Sequence, residues 1–330
     1  MIAFGSLVAC GTTATPDVPL RQSFVIGDAE KSNDDTVFTG PVAVGVLGDT
    51  IVVADDADKV VRLISATTRR AIGKFGRSGG GPGEFSRIVS MAVSPEGRIA
   101  VLDVRNKRIS IFGRTGDLER ELPLEGGTTF EIAFDIHERI HMLRSVHALA
   151  GVGPILVISR EGKPLFSYGR AIRAATPLES GLQNQVRFAR RDDGGMWILH
   201  SYTGLVERYD SSGALAGRFS VPLQLGQDTI GPVTVARDND QMSIRRIPVA
   251  EDIVAQNDSI LWVSVLMPAN GNESVRSRIF EFHVDGTFRS KRDLETRASR
   301  ITISDSLLYT LRLLGSESAR IDGFIISKKP

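Results

Sequence analysis

Cysteine is all but missing from this chain. The only one among 330 residues is Cys10, so no disulfide can form within the chain, and stability must come from packing. No run of 18 apolar residues occurs, which leaves no candidate for a membrane-spanning helix. Neither sign of charge is in excess. Lys and Arg number 40 against 39 Asp and Glu, a net charge of +1, so no global field gathers nucleic acid or an acidic membrane surface. Catalytic constellations are also scarce. Nothing pairs a Ser with a base by spacing, and Cys10 lies outside the repeated region, so neither Ser-His-Asp nor Cys-His chemistry can be argued.

What is present is a phrase that returns. An Ile- or Val-rich strand is followed by a turn, then by a strand ending in an aromatic or aliphatic residue, with a Gly four positions later. Its instances end at Phe112 with Gly116, Ile158 with Gly162, Tyr209 with Gly213 and Phe282 with Gly286. These anchors lie 46, 51 and 73 residues apart, and an earlier copy ends near Ile64, 48 residues before Phe112. Short strands in units of this size are the mark of a β-propeller. Stacked units form one closed body, which overrides the two domains that length alone would allow.

Each unit reads as four strands, a to d, with period-2 alternation and Gly, Pro and Asp at the turns. The units cover residues 42–75, 88–122, 129–168, 185–220, 252–290 and 300–326. The last unit lacks a fourth strand, and Ser23-Phe24-Val25-Ile26 near the N-terminus is a strand without a unit. Pairing the two would close the ring and hide two sheet edges. The expected fold is all-β, a six-bladed β-propeller over residues 21–330 whose N-terminal strand closes the last blade. Seven blades is the alternative, since 232–249 has room for a further half blade.

The stretch Phe75-Gly76-Arg77-Ser78-Gly79-Gly80-Gly81-Pro82-Gly83-Glu84-Phe85 resembles the blade link of NHL-repeat propellers. Val101-Leu102-Asp103 and Asn106-Lys107-Arg108-Ile109-Ser110-Ile111-Phe112 continue that likeness through one unit. The other units keep the strand rhythm without the signature letters. Among such proteins, the divergent six-bladed propeller lipoproteins of bacteria are similar to this chain. A likeness of this kind implies a fold and leaves function open, because propellers host many activities.

Residues Leu7-Val8-Ala9-Cys10-Gly11 resemble the lipobox of bacterial lipoproteins, in which the Cys is lipidated and becomes the mature N-terminus. An apolar stretch precedes it and a polar, tether-like segment follows at 11–19. No Lys or Arg occurs before Arg21, so the basic part of that pattern is absent. The expectation is a signal and tether over 1–20, lipidation at Cys10, and a membrane-anchored protein of the bacterial cell envelope, periplasmic or surface-exposed.

In an up-and-down sheet the a–b and c–d turns share one face, and the b–c loops and blade links share the other. The first set is uniformly short, as at 94–97, 135–138, 160–163, 210–213 and 284–286. The second holds every long insertion, at 145–154, 170–184, 221–251 and 266–277. Insertions gathered on one face mark the binding face of a repeat protein.

His137-Glu138-Arg139-Ile140-His141 spells H-E-x-x-H, which binds zinc only on a helix. The repeat puts His137 and Glu138 in a turn and His141 in a strand, so the two imidazoles cannot share a helical face. The Gly-rich stretch 76–83 lacks the G-K-[ST] ending of a phosphate loop. The acidic run Asp55-Asp56-Ala57-Asp58 lacks EF-hand spacing and is expected to be a solvated turn, though calcium or another divalent cation remains compatible with it. Inner strands bring Arg87, Glu131, Arg187, Asp252 and Arg300 to the central channel. Propeller lactonases and lyases hold a metal there, but a set with three arginines suits a polar or anionic ligand better than a cation. Asn106, His147, His200 and Tyr202 lie on the same face by strand count and join the candidate contact residues, whereas Trp262 reads as core. The expected role is a binding module for a protein, peptide or glycan, with no nucleic acid and no resident cofactor. The alternatives are a metal-centred hydrolase or lyase and a structural envelope component.

Overall fold

The computed structural model describes residues 20–27, 36–125, 129–145, 153–174, 176–222, 235–238, 241–244, 250–257, 259–267, 276–304, 306–313 and 319–326. Cys10 and His147 lie outside these residues. The chain forms a six-bladed β-propeller. β1 (Arg21–Ile26) precedes blade 1, made of β2 (Pro41–Leu47), β3 (Thr50–Asp55), β4 (Val60–Ser65) and β5 (Ala71–Phe75). Blade 2 holds β6 (Ile88–Val93), β7 (Ile99–Asp103), β8 (Arg108–Phe112) and β9 (Leu118–Pro123). Blade 3 holds β10 (Thr129–Phe134), β11 (Ile140–Arg144), β12 (Ile155–Ile158) and β13 (Pro164–Tyr168). A short helix, α1 (Pro177–Gln183), leads into blade 4, made of β14 (Val186–Arg190), β15 (Met196–His200), β16 (Leu205–Tyr209) and β17 (Leu215–Ser220).

After blade 4, β18 (Val235–Asp238) and β19 (Gln241–Ile244) pair only with each other. This hairpin occupies the segment considered for an extra half blade, and it joins none of the blades. Blade 5 holds β20 (Ala250–Gln256), β21 (Ile260–Met267), β22 (Arg276–His283) and β23 (Phe288–Leu294). Blade 6 has β24 (Arg300–Ile303), β25 (Leu307–Arg312) and β26 (Arg320–Ile325), and β1 supplies its outer strand.

That closure is antiparallel, with Arg21 opposite Ile325 and Ile26 opposite Ile321. It completes a sixth inter-blade core in which Phe24 and Ile26 pack with Ile51, Val53 and Ile64 of blade 1 and Tyr309, Leu311 and Ile321 of blade 6. Comparable apolar clusters fill the five other junctions. The second strand of a blade is covered on both faces and is apolar without alternation, as in β7 (IAVLD, buried throughout and apolar up to Asp103). The outermost strand meets solvent and alternates, as in β17. Trp262 is buried in β21, as its alternation suggests.

The repeat's glycine has a specific cause. Gly116, Gly213 and Gly286 turn with φ of +95°, +86° and +89°, a region L side chains rarely adopt. A Cβ on each would also stand 2.5–2.8 Å from Phe75, Tyr168 and Phe219 of the preceding blade. The aromatics four residues earlier, Phe112, Tyr209 and Phe282, stand 4.5–4.9 Å from those same rings, so both ends of the phrase meet the preceding blade.

Strand order places the a–b and c–d turns on one face and the b–c loops and blade links on the other. Connections 145–154, 169–185, 221–249 and 268–275 all leave from the second face. Ile326, just past the end of β26, donates its backbone N–H to Ser306 O in the a–b turn of blade 6. Arg21, opposite Ile325, therefore begins the closing strand on the short-turn face.

Candidate functional site

Each blade's innermost strand starts at the long-loop face, where several carry a β-bulge. Register shifts occur between Pro41 and Ala43, Ile88 and Ser90, Thr129 and Glu131, and Ala250 and Asp252. A bulge re-aims the extra residue out of the ladder. In blade 3 that residue is Phe130, which is 50% exposed at the rim. In blade 5 it is Glu251, a buried carboxylate bonded by Arg297 Nε at 3.0 Å. Burial pushes the Glu251 carboxyl up, and Arg297 pulls it back only in part.

Four of the five expected channel residues meet just inside these bulges. Arg187 Nη1 donates to Glu131 Oε2 at 2.7 Å, and Arg300 Nη2 stands 3.9 Å from the same oxygen. Ser90 Oγ donates to the other Glu131 oxygen at 3.2 Å. Asp252 accepts the backbone N–H of Ile301 at 2.8 Å. Burial drives the Asp252 carboxyl up to about 6, against the opposing pull of Arg300 and Arg187. Burial also lowers Arg187, and the neighbouring Arg300 adds to that. Arg87 does not join the group: its side chain is 63% exposed and pairs with Asp56 at 3.3 Å.

A cavity of about 440 Å³ opens above this cluster on the long-loop face, between blades 3 and 4. Its walls are apolar (Phe130, Leu143, Leu182, Val186), and Glu131, Arg187 and Arg300 lie at its base. Below, the central channel encloses about 290 Å³ lined by the inner strands, and Glu131 and Arg300 border both spaces. The charged cluster is therefore the waist between funnel and channel. Its carboxylates Glu131 and Asp252 are matched by two guanidinium groups at close range, so the donor set does not fit a divalent cation.

The raised Asp252 group makes a pH prediction. A carboxyl whose folded pKa exceeds its unfolded value contributes stability present below pH 4 and lost as pH rises through about 6. The loss is of order 2–3 kcal/mol for a shift of this size. Asp252→Asn is expected to remove that loss, so urea denaturation of wild type and variant should diverge between pH 4.5 and 7, with the variant favoured at pH 7.

Asn106 Nδ2 donates to Gly79 O at 2.9 Å and Asp103 Oδ2 at 2.8 Å, tying the Gly-rich link to its blade. His200 is buried, with Nε2 3.1 Å from Glu207 Oε2, and Tyr209 donates to that same oxygen at 2.9 Å. Tyr202 is buried against Leu182 of α1. Both residues back the cavity wall and present no open surface. The Asp55–Asp58 run departs from the solvated turn expected of it. Asp55 is fully buried, because four backbone N–H groups and Arg62 bond to it.

The H-E-x-x-H letters dissolve as the repeat requires. His137 and Glu138 occupy a turn, and Glu138 (φ 60°) accepts from Arg98 and from Glu96 N of blade 2. His141 is buried in β11, its Nδ1 2.8 Å from Tyr168 Oη and its Nε2 3.2 Å from Asp135 Oδ2. Burial holds its pKa below the usual value. Among the described residues, no group of three or more His, Cys, Asp or Glu is placed to hold a metal.

One cavity residue escaped the sequence reading. Arg144 lines the wall at the end of β11, at the register position that Asp55 and Asp103 hold in blades 1 and 2. The available signal was the change from Asp to Arg at a repeated position.

No family model matches this chain, and no curated protein matches it. Solved structures do. A protein of Bacteroides fragilis described as an exported-protein candidate aligns over 96% of this chain and 98% of its own, with 12% identity and a TM-score of 0.60. A DUF4221 family member from Bacteroides vulgatus aligns over 94% and 98%, with 9% identity and a TM-score of 0.63. Virginiamycin B lyase from Staphylococcus aureus aligns over 89% and 97%, with 14% identity and a TM-score of 0.52. At such identities the likeness speaks for the shared architecture, the six-bladed β-propeller.

Proposed function

We propose that this chain is an exported, lipid-anchored recognition module that binds a protein, peptide or glycan through its long-loop face. The observation that carries this reading is coincidence on one face: the long connections, the apolar-walled cavity and its charged base lie together. Among the described residues the opposite face has only short turns. We read the repeat as a divergent NHL type, on the strength of the Gly-rich link and the unit that follows it.

The closing strand supports an orientation. Arg21 starts on the short-turn face, and residues 11–20 reach at most about 35 Å when extended. A lipid on Cys10 would thus hold the short-turn face toward the envelope membrane and turn the cavity away from it. A hydrolase or lyase centred on a channel metal would need Glu131 and Asp252 freed from Arg187 and Arg300.

Phe130 lies near the start of β10 on the long-loop face and Ile136 in the short turn that follows its other end, and both are exposed. A photo-crosslinking amino acid at position 130 in intact cells is expected to trap a discrete partner that position 136 does not. Equal or preferential capture at 136 would contradict the reading. Independently, Cys10→Ala should lose lipid mass and membrane association; identical soluble products would end the anchoring proposal.

A further inference from the structure

The second strand of each blade ends on the long-loop face, and in blades 1 and 2 that position is an aspartate. Asp55 accepts the backbone N–H groups of Thr39, Gly40, Ala57 and Asp58. Asp103 does the same for Ser86, Arg87, Arg105 and Asn106. Each carboxylate ties an incoming blade link to the b–c loop of its own blade. In blades 3 and 4 the position is Arg144 and His200. The tie is absent where the connections lengthen and the cavity opens. At blade 3 a cation stands where the repeat had an anion.

Arg144 is held in place without being neutralised. Its Nη2 donates to Gly153 O at 3.3 Å and Ser167 Oγ at 3.2 Å, both uncharged acceptors. Its Nε is buried without a protein partner. Burial lowers its pKa, and among the described residues no carboxylate opposes that. At the cavity base Arg187 and Arg300 share Glu131, with Asp252 behind. With Glu251 behind them balanced by Arg297, three guanidinium groups against Glu131 and Asp252 leave an excess of about one positive charge inside apolar walls. A guanidinium fork matches a carboxylate or a phosphate, but Glu131 and Asp252 would repel the second charge of a phosphate.

We infer that the cavity takes a ligand bearing a single carboxylate on an apolar body. The carboxylate meets Arg144, with Arg187 and Arg300 below, and the apolar part lies against Leu143, Leu182 and Phe130. The volume of about 440 Å³ suits a small acid or the last residues of a peptide. The inference rests on the recognition role of this face and names its chemistry.

The test is titration calorimetry of the full chain with two matched pairs. One is octanoate against octanol; the other is N-acetyl-Leu-Leu-Phe against its C-terminal amide. At least one acid is expected to bind about tenfold or more tightly than its neutral partner. Preference in the first pair alone identifies a free acid, and in the second alone a peptide C-terminus. Arg144→Gln should erase most of that preference, while Arg144→Lys keeps part of it. Equal affinities within both pairs, no measurable binding of either acid, or a folded Arg144→Gln with undiminished preference would overturn the inference. If Arg144→Gln does not fold, the wild-type pairs decide alone. Capture at position 130 without acid preference overturns the ligand class only; acid preference without capture overturns the macromolecular role only.

Discussion

Phe24→Ala is expected to destabilise the protein by about 3–5 kcal/mol, the range for emptying a buried aromatic site. The ring is 7% exposed and lies 6.0 Å from that of Tyr309, with the Arg69 guanidinium 4.9 Å from its centroid. It is also pressed against backbone. A Cβ on Gly323 would stand 2.4–2.8 Å from its ring carbons, closer than real contacts allow. Gly323→Ala should therefore evict the ring and destabilise nearly as much. The same change in a Phe24→Ala background should cost little, because the obstructing ring is gone. Denaturant midpoints of the four proteins give the coupling, which should be of order 2–3 kcal/mol. Additive effects would mean that β1 does not sit on β26. The predicted loss is large because the seam joins opposite ends of the chain, and β1 has no other core to enter.

Asp103→Ala is the second change with a large expected effect, a loss of about 3–5 kcal/mol by analogy with breaking a buried charged network. The carboxylate is fully buried and receives four backbone N–H groups and Asn106 Nδ2. Removing it leaves those donors without an acceptor, and each stranded donor costs roughly 1–3 kcal/mol if it stays dry. Asp103→Asn keeps one oxygen and should lose about half as much. Urea denaturation measures both; equal stability of wild type and Asp103→Ala would show that water replaces the carboxylate without penalty.

Asp103 also shows why the architecture was legible in the sequence. The letters that recur are those bound by geometry. The buried second strand returns in every blade, the Asp at its end in blades 1 and 2, and the Gly that clears the preceding blade's aromatic in blades 2, 4 and 5. The orphan strand at Phe24 was legible because a propeller needs an outer strand in every blade, and the last unit was one short. Whether 232–249 belonged to the ring was not legible, because a hairpin has the same alternation inside or outside it.

The site was legible only in outline. Glu131, Arg187, Asp252 and Arg300 were placed by counting strands, and they do converge. Counting could not anticipate the bulges that turn Phe130 and Glu251, since a bulge adds one residue without a letter to mark it. His200 and Tyr202 lie under the wall, because α1 covers Tyr202 and Glu207 draws His200 inward. Arg87 turns instead to Asp56, a partner from the neighbouring blade.

Closure by β1 completes the ring and starts the closing strand on the short-turn face. Its most direct measurement is a cross-link across the seam. Residues paired across an antiparallel ladder have Cα atoms about 4.5–5.5 Å apart, within disulfide range. In a Cys10→Ser background, Arg21→Cys and Ile325→Cys would supply the only two thiols. Mild oxidation should consume both thiols in the monomer, give a faster-migrating band under non-reducing conditions and raise the melting temperature. Thiols that stay free in the folded monomer, or that link only between molecules, would contradict the closure and the orientation drawn from it.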